Sequence, residues 1–195
     1  MKINKYILLL FFAIIFAKND TLLVDVKEST LHWVGKKVSG EHDGNISVKE
    51  GFVVLRQGEI VSAELVVDMH SITVLDIDSP EWNQSLVDHL KDDDFFGVDS
   101  FPLAIMKIKS SEKYKSKLHP QYNRKLEGSL SIKGITNPVT ILCNFSLNDG
   151  YRAIGSTKID RTKFGIQYKS KSIFPDIGDK FIYDDFILDF DIYAK

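Results

Sequence analysis

The chain has a single cysteine, Cys143, among 195 residues, so it can close no internal disulfide. Neither a histidine nor a second thiol lies at metal-ligand spacing from it, and in an alternating segment Cys143 reads as a small buried hydrophobe. A surplus of positive charge is also missing. Against 25 Lys and Arg stand 27 Asp and Glu, giving a formal net charge of −2 and a pI near 6.2. That balance excludes a basic surface able to hold a nucleic acid backbone by charge alone. No pair among His32, His42, His70, His89 and His119 has the spacing of a helix-borne zinc site. Asp92, Asp93 and Asp94 lack the glycine-spaced pattern of a calcium loop and read as a solvated turn. Asp88 and His89 are too close in sequence to act as orienter and base, and no serine or cysteine nucleophile motif accompanies them.

No apolar run approaches the roughly 20 residues of a membrane span. The longest, residues 6–17, is preceded by Lys2 and Lys5 and has the layout of a secretory signal. Cleavage is expected after Ala17, although Ile15 is larger than the small residue preferred there. The alternative, a buried N-terminal helix, fits poorly because the run is apolar on all faces. Residues 1–17 are therefore read as a signal peptide and the mature protein as periplasmic or secreted. Residues 22–195, in a chain that is 44% hydrophobic and 11% aromatic, suffice for one domain with one core.

What is present is strand after strand. Residues 24–35 carry a β-rich pattern containing Trp33, and the cluster 39–44 supplies turn residues before an extended run restarts at Ile46. Gly51 marks an expected bulge or bend, and Gln57-Gly58 a tight hairpin. In residues 60–69, Ala63, Leu65, Val67 and Met69 share one face and Glu64 and Asp68 the other. Asp68 is expected to satisfy backbone donors near a strand end. Leu86, Val87 and Leu90 predict a helix of two turns, followed by Phe95 and Phe96 in a bend ended by Gly97 and Pro102. Both rings are placed to enter a common apolar interior. Residues 103–109 form another strand, and the lysine-rich stretch 110–121 an exposed tip. Alternation continues through Leu126, Gly128, Leu130 and Ile132, and then through Val139, Ile141, Cys143, Phe145 and Leu147, with residues 133–138 as the turn between them. The strand 151–159 follows. The last strand sets Phe186, Leu188, Phe190 and Ile192 against Asp189 and Asp191. About eight strands, one small helix and no crossover helices argue for an all-β, antiparallel sheet closed on itself or folded as a sandwich. Closure is favoured because it removes edges.

Five segments carry a resemblance: DMHSIT from Asp68, HLKDDDFF from His89 with Phe101-Pro102 after it, LEGSLSIKGITNPV from Leu126, IDRTKFGI from Ile159 and GDKFIYDDF from Gly178. Their order and spacing resemble the YceI-like family from about Ser29 to the C-terminus. The resemblance implies an eight-stranded antiparallel lipocalin-like β-barrel with an internal tunnel. In characterised members that tunnel holds an isoprenoid chain such as a prenylated quinone or polyisoprenoid, and export to the periplasm is common. It requires no cofactor, and it leaves room for transient membrane contact and a homodimer.

Such a tunnel has no fixed binding motif, so its lining is read from alternation as Trp33, Leu65, Val67, Met69, Phe96, Met106, Leu130, Phe145, Phe186 and Phe190. For any one of them, ordinary core packing is the competing reading, because small barrels fill their interiors with side chains. Asp160-Arg161 is read as holding a turn rather than touching a head group. Three functions follow: a non-enzymatic carrier of an apolar lipid, a filled barrel acting in stress or protein interaction, and an enzyme acting on an apolar substrate. The last needs an ionisable group in the lumen, for which Tyr151 and Lys107 are the candidates.

Overall fold

A computed structural model describes residues 18–148 and 150–195; the expected signal segment 1–17 lies outside the described residues. The strands are β1 (Asn19–Leu23), β2 (Thr30–Lys37), β3 (Gly40–Arg56), β4 (Glu59–Asp68), β5 (Leu103–Lys113), β6 (Arg124–Ile132), β7 (Ile135–Ser146), β8 (Tyr151–Asp160) and β9 (Ile182–Ala194), with one α-helix, α1 (Pro80–Lys91). Strands β2 to β9 form a closed antiparallel ring in the order β3-β2-β9-β8-β7-β6-β5-β4, with β4 returning to β3. This is the expected eight-stranded barrel. The ninth strand, β1, pairs with the far half of β3, while β2 pairs with its near half. Of the segment read as one strand over 24–35, only residues 30–35 are strand; Val24 makes an isolated bridge to Ala194, and between them lies a turn in which Asp25 Oδ1 accepts from the Lys27 and Glu28 amides.

Two hairpins use two-residue turns with positive φ at both positions, Gln57-Gly58 (53° and 78°) and Lys133-Gly134 (50° and 73°). That geometry matches the twist of the flanking strands. The turn expected over 133–138 is therefore shorter, and Pro138 lies inside β7, opposite Ser129. Counting from the hairpin, this is a position whose N–H would point away from β6. On that side β8 pairs with β7 only over Cys143–Ser146, so proline breaks no ladder bond.

The cluster 39–44 also differs from expectation. Only Val38 and Ser39 turn, and His42 to Gly44 belong to β3. Gly44 is needed there because a Cβ would lie 1.8 Å from the Thr73 carbonyl oxygen, where the chain leaving β4 crosses the sheet. The crossing segment bonds along the edge of β3, Thr73 N to Asn45 O at 3.0 Å and Leu75 N to Asp43 O at 2.8 Å. At Gly51 a Cβ would meet the Glu64 carbonyl at 2.7 Å; the register shift itself falls between Val48 and Glu50. Strand β5 runs on to Lys113, which shortens the exposed tip to residues 114–123.

Helix α1 begins six residues earlier than Leu86, with Ser79 at its N-cap position and Pro80 in the first turn, where proline's fixed φ suits a helix and its missing N–H costs nothing. It buries Val87 and Leu90 against Phe95, Val98 and Ile72, and so closes one end of the barrel. Asp92 to Asp94 form the solvated turn beyond it, held by Lys133 Nζ, which donates to the Asp93 carbonyl at 2.6 Å and the Phe95 carbonyl at 2.9 Å. Asp68 Oδ1 accepts from the His70 amide at 3.0 Å, as its position predicts. Cys143 is fully buried, and loss of solvent pushes its thiol up to about 11.

Candidate functional site

Because side chains alternate along a strand, one face of each of the eight strands points into the ring. Those inward residues do not fill it. Two apolar cavities of about 120 and 110 Å³ lie end to end inside the barrel. Strand β9 shows the arrangement: Phe186 lines the upper chamber beneath α1, Phe190 lines the lower one, and Leu188 between them borders both. Leu31, Val67, Ala104 and Leu130 complete this shared waist. Several inward apolar side chains, Trp33, Leu65, Met106 and Phe190 among them, are only half-buried although they face inward; the surface left to them faces the voids. Each void is near the ~150 Å³ of an apolar cavity that holds benzene, so each suits a group the size of one isoprene unit.

The wall of the upper chamber has a break. Strands β2 and β9 pair at Gly35 and Phe186, then next at Lys37 and Ile182, so residues 183–185 stand opposite Lys36 alone. Ile182, Tyr183 and Asp185 line the chamber at this break, and Tyr183 is 51% exposed, which makes it the chamber's mouth.

The alternation expected from the sequence places nine of ten residues on these walls. Trp33, Met69, Phe96 and Phe186 line the upper chamber, Leu65, Met106 and Phe190 the lower, and Val67 and Leu130 the waist. Phe145 does not reach either cavity. Its ring packs 5.3 Å from that of Tyr151 and lies under the Arg124 guanidinium at 5.2 Å, which places it in the core beside the voids. Phe95 lines the upper chamber beside Phe96, as the bend predicts. Leu31, Ala104 and Leu188 were missed at the waist. Leu188 lies midway between Phe186 and Phe190 and Leu31 two residues before Trp33, so the same alternation contains them.

Few polar groups touch the voids. Arg161, 2% exposed, reaches the upper wall. It donates to the carbonyls of Tyr183 (3.2 Å), Ile166 (2.9 Å) and Ile182 (3.1 Å), and its Nη2 lies 3.8 Å from Asp184. Burial pulls its pKa down, partly offset by Asp184 and Asp160. Asp160 Oδ1 meanwhile accepts from Thr162 N at 3.0 Å and Thr162 Oγ1 at 2.6 Å. The pair holds the turn, as read from the sequence, but not through each other: Asp160 binds Thr162, and Arg161 binds carbonyls, two of them at the mouth. Of the two candidates for lumenal acid–base work, Lys107 points outward and pairs with Glu64 at 3.1 Å. Tyr151 does line the lower chamber, but burial drives its phenol above the ordinary range, which keeps it neutral and a poor base.

Solved structures share this architecture. BcnA of Burkholderia cenocepacia is 19% identical with a TM-score of 0.67, covering 88% of this chain and 99% of that one. A polyisoprenoid binding domain from Saccharophagus degradans, implicated in plant cell wall breakdown, is 12% identical with a TM-score of 0.61, covering 89% and 97%. A Campylobacter jejuni YCEI protein is 16% identical with a TM-score of 0.51, covering 100% and 93%. At these identities the likeness speaks for the fold alone. No curated protein matches the chain. The profile of the YceI-like domain, however, matches residues 23–194, a span that takes in the whole ring, both chambers and the mouth, and so the chain belongs to the YceI-like family.

Proposed function

We propose that the protein is a non-enzymatic carrier that holds an isoprenoid or a similar apolar lipid, such as a prenylated quinone, within the two chambers. The observation that carries this reading is the pair of apolar voids meeting at a shared waist, with an opening to the surface at one end. A prenyl chain is almost devoid of polar atoms, so its recognition needs apolar surface and shape, with polar contacts reserved for a head group. At about 0.8 kcal/mol per methylene-sized group, one buried isoprene unit contributes on the order of 4 kcal/mol gross. Ordering and association cost roughly 4–15 kcal/mol, so useful affinity takes more than one unit. Both chambers must therefore be occupied, and a longer chain must displace side chains. The name of the Saccharophagus domain supports the ligand class. A barrel filled solely by its own side chains would leave no such pair of adjoining voids. With the export expected from residues 1–17, the carrier would work outside the cytoplasmic membrane, and the exposed Ile173, Phe174 and Tyr183 would supply apolar surface for passing contact with a bilayer.

The test is to purify the protein from its native host without delipidation, extract it with organic solvent and identify the extract by mass spectrometry. A lipid near one equivalent is expected. Repeated ligand-free preparations that also fail to take up an added prenyl chain would remove the proposal.

A further inference from the structure

Just outside the mouth lies a second concavity of about 220 Å³, and its chemistry is unlike that of the chambers. It is bordered by Lys37 at the end of β2, His42 on β3, Leu86 and His89 on α1, and the segment 168–182, which brings Lys169 and Lys180. Ile182 belongs to both its wall and that of the upper chamber, so the two spaces meet at one side chain. On a chain with net charge −2, this groove gathers three lysines against one bordering carboxylate, Asp179. Among the described residues, no carboxylate lies within ion-pairing distance of Lys37, Lys169 or Lys180, whereas neighbouring Lys36 is paired with Glu41 at 3.2 Å. His42 is already engaged, whereas the buried Nε2 of His89 has no hydrogen-bond partner among the described residues. His42 Nδ1 donates to Asp76 at 2.7 Å, and the His89 ring packs against Tyr168 at 4.5 Å with Asp94 3.8 Å from its Nδ1. Lys169 has a left-handed backbone (φ 47°), a conformation that costs a non-glycine residue energy, and Lys169 is on the wall of this groove.

We infer that the groove receives an anionic head group, a phosphate or carboxylate, of a single-chain lipid whose tail passes Ile182 into the upper chamber. The inference rests on the carrier reading above and adds to it the charge of the ligand's polar end. Three ammonium groups without a carboxylate partner, that of Lys169 resting 5.1 Å over the Tyr168 ring, suit an anion with several acceptor oxygens, while Ile182 marks where the polar end gives way to the tail. An uncharged quinone or alcohol would leave the lysines in water and gain nothing from them.

Farnesyl phosphate, farnesol and inorganic phosphate separate the contributions of tail and anion. Farnesyl phosphate should bind about tenfold or more tighter than farnesol at low salt, and this margin should shrink as salt rises. A Lys37→Gln/Lys169→Gln/Lys180→Gln variant should lose the margin while keeping its melting temperature and its farnesol affinity. Equal affinity of the wild type for farnesol and farnesyl phosphate would overturn the inference and leave the carrier reading standing. So would a margin that survives in the variant, or inorganic phosphate binding as tightly as farnesyl phosphate, which would mark a free-anion site. Failure of both farnesyl compounds to bind would remove the inference and the carrier reading together.

Discussion

Gly44 and Arg161 are small in number of atoms and large in what depends on them. A methyl group at Gly44 would overlap the Thr73 carbonyl and the Trp33 ring, 2.8 Å away, so Gly44→Ala should lift the crossing segment and cost about 1–3 kcal/mol, the range for overpacking. A lowered urea midpoint with altered tryptophan fluorescence would be its signature, since Trp33 Nε1 donates to Thr73 O at 3.2 Å. Arg161→Met should be harsher. It strands the buried carbonyl of Ile166, worth about 1–3 kcal/mol when left unsatisfied, and removes the donor from the part-buried carbonyls of Ile182 and Tyr183, so chemical denaturation should show a loss toward the top of that range or beyond it. Leu188→Trp probes the waist instead. Calorimetry should find that it weakens or abolishes binding of chains long enough to span both chambers; undiminished binding of a long chain would mean that the waist is not its route.

Among the elements, the crossing segment 72–79 is held down as a strap. Asp76 accepts from His42 Nδ1 and, at 3.1 Å, from the Asp43 amide, while Asn83 Nδ2 donates to the carbonyls of Val74 (2.9 Å) and Ile77 (3.1 Å). Burial pushes the Asp76 carboxyl up, but the hydrogen bonds from His42 and Asp43 outweigh it, and the net pKa lies below the ordinary carboxylate value. A depressed folded-state pKa gives stability that is present above the unfolded pKa and is lost as pH falls through the folded one. Asp76→Asn should therefore destabilise near neutral pH, and the gap from wild type should close on titration into strong acid, as followed by urea midpoints. The elements differ in how far the sequence exposes them. Alternation in β4, β6 and β9 names the faces because one side of each is packed or faces a void. The β3 stretch through His42-Asp43-Gly44 is hidden, since its turn-like composition serves a crossing chain far away in sequence. Pro138 likewise disguises a strand, because only the absence of a β8 partner makes it harmless. Leu86 shows the start of packing in α1, whereas Ser79-Pro80 marks the true start of the helix. Phe145 faces inward without lining a void, because an inward face and a cavity wall are identical in pattern and only the placement of neighbours such as Tyr151 tells them apart.

For the molecule as a whole, a ligand held by the folded ring and not by the unfolded chain must raise its melting temperature with concentration. Farnesol titrated into delipidated protein should do so, and an unmoved transition would argue against occupancy of the chambers. N-terminal sequencing of the mature protein from its host should begin at Lys18 if the expected signal is removed there. A closed ring has no end strand to peel away, so any loosening must begin where neighbouring strands already fail to match. Residues 183–185, three against the single Lys36, are such a seam. In deuterium exchange their amides should trade hydrogen ahead of those at the Leu31–Phe190 and Trp33–Leu188 pairs, where both strands stay in register. The barrel would then breathe at one hem, and cargo too wide for the resting aperture would wait on the pace of that local unzipping.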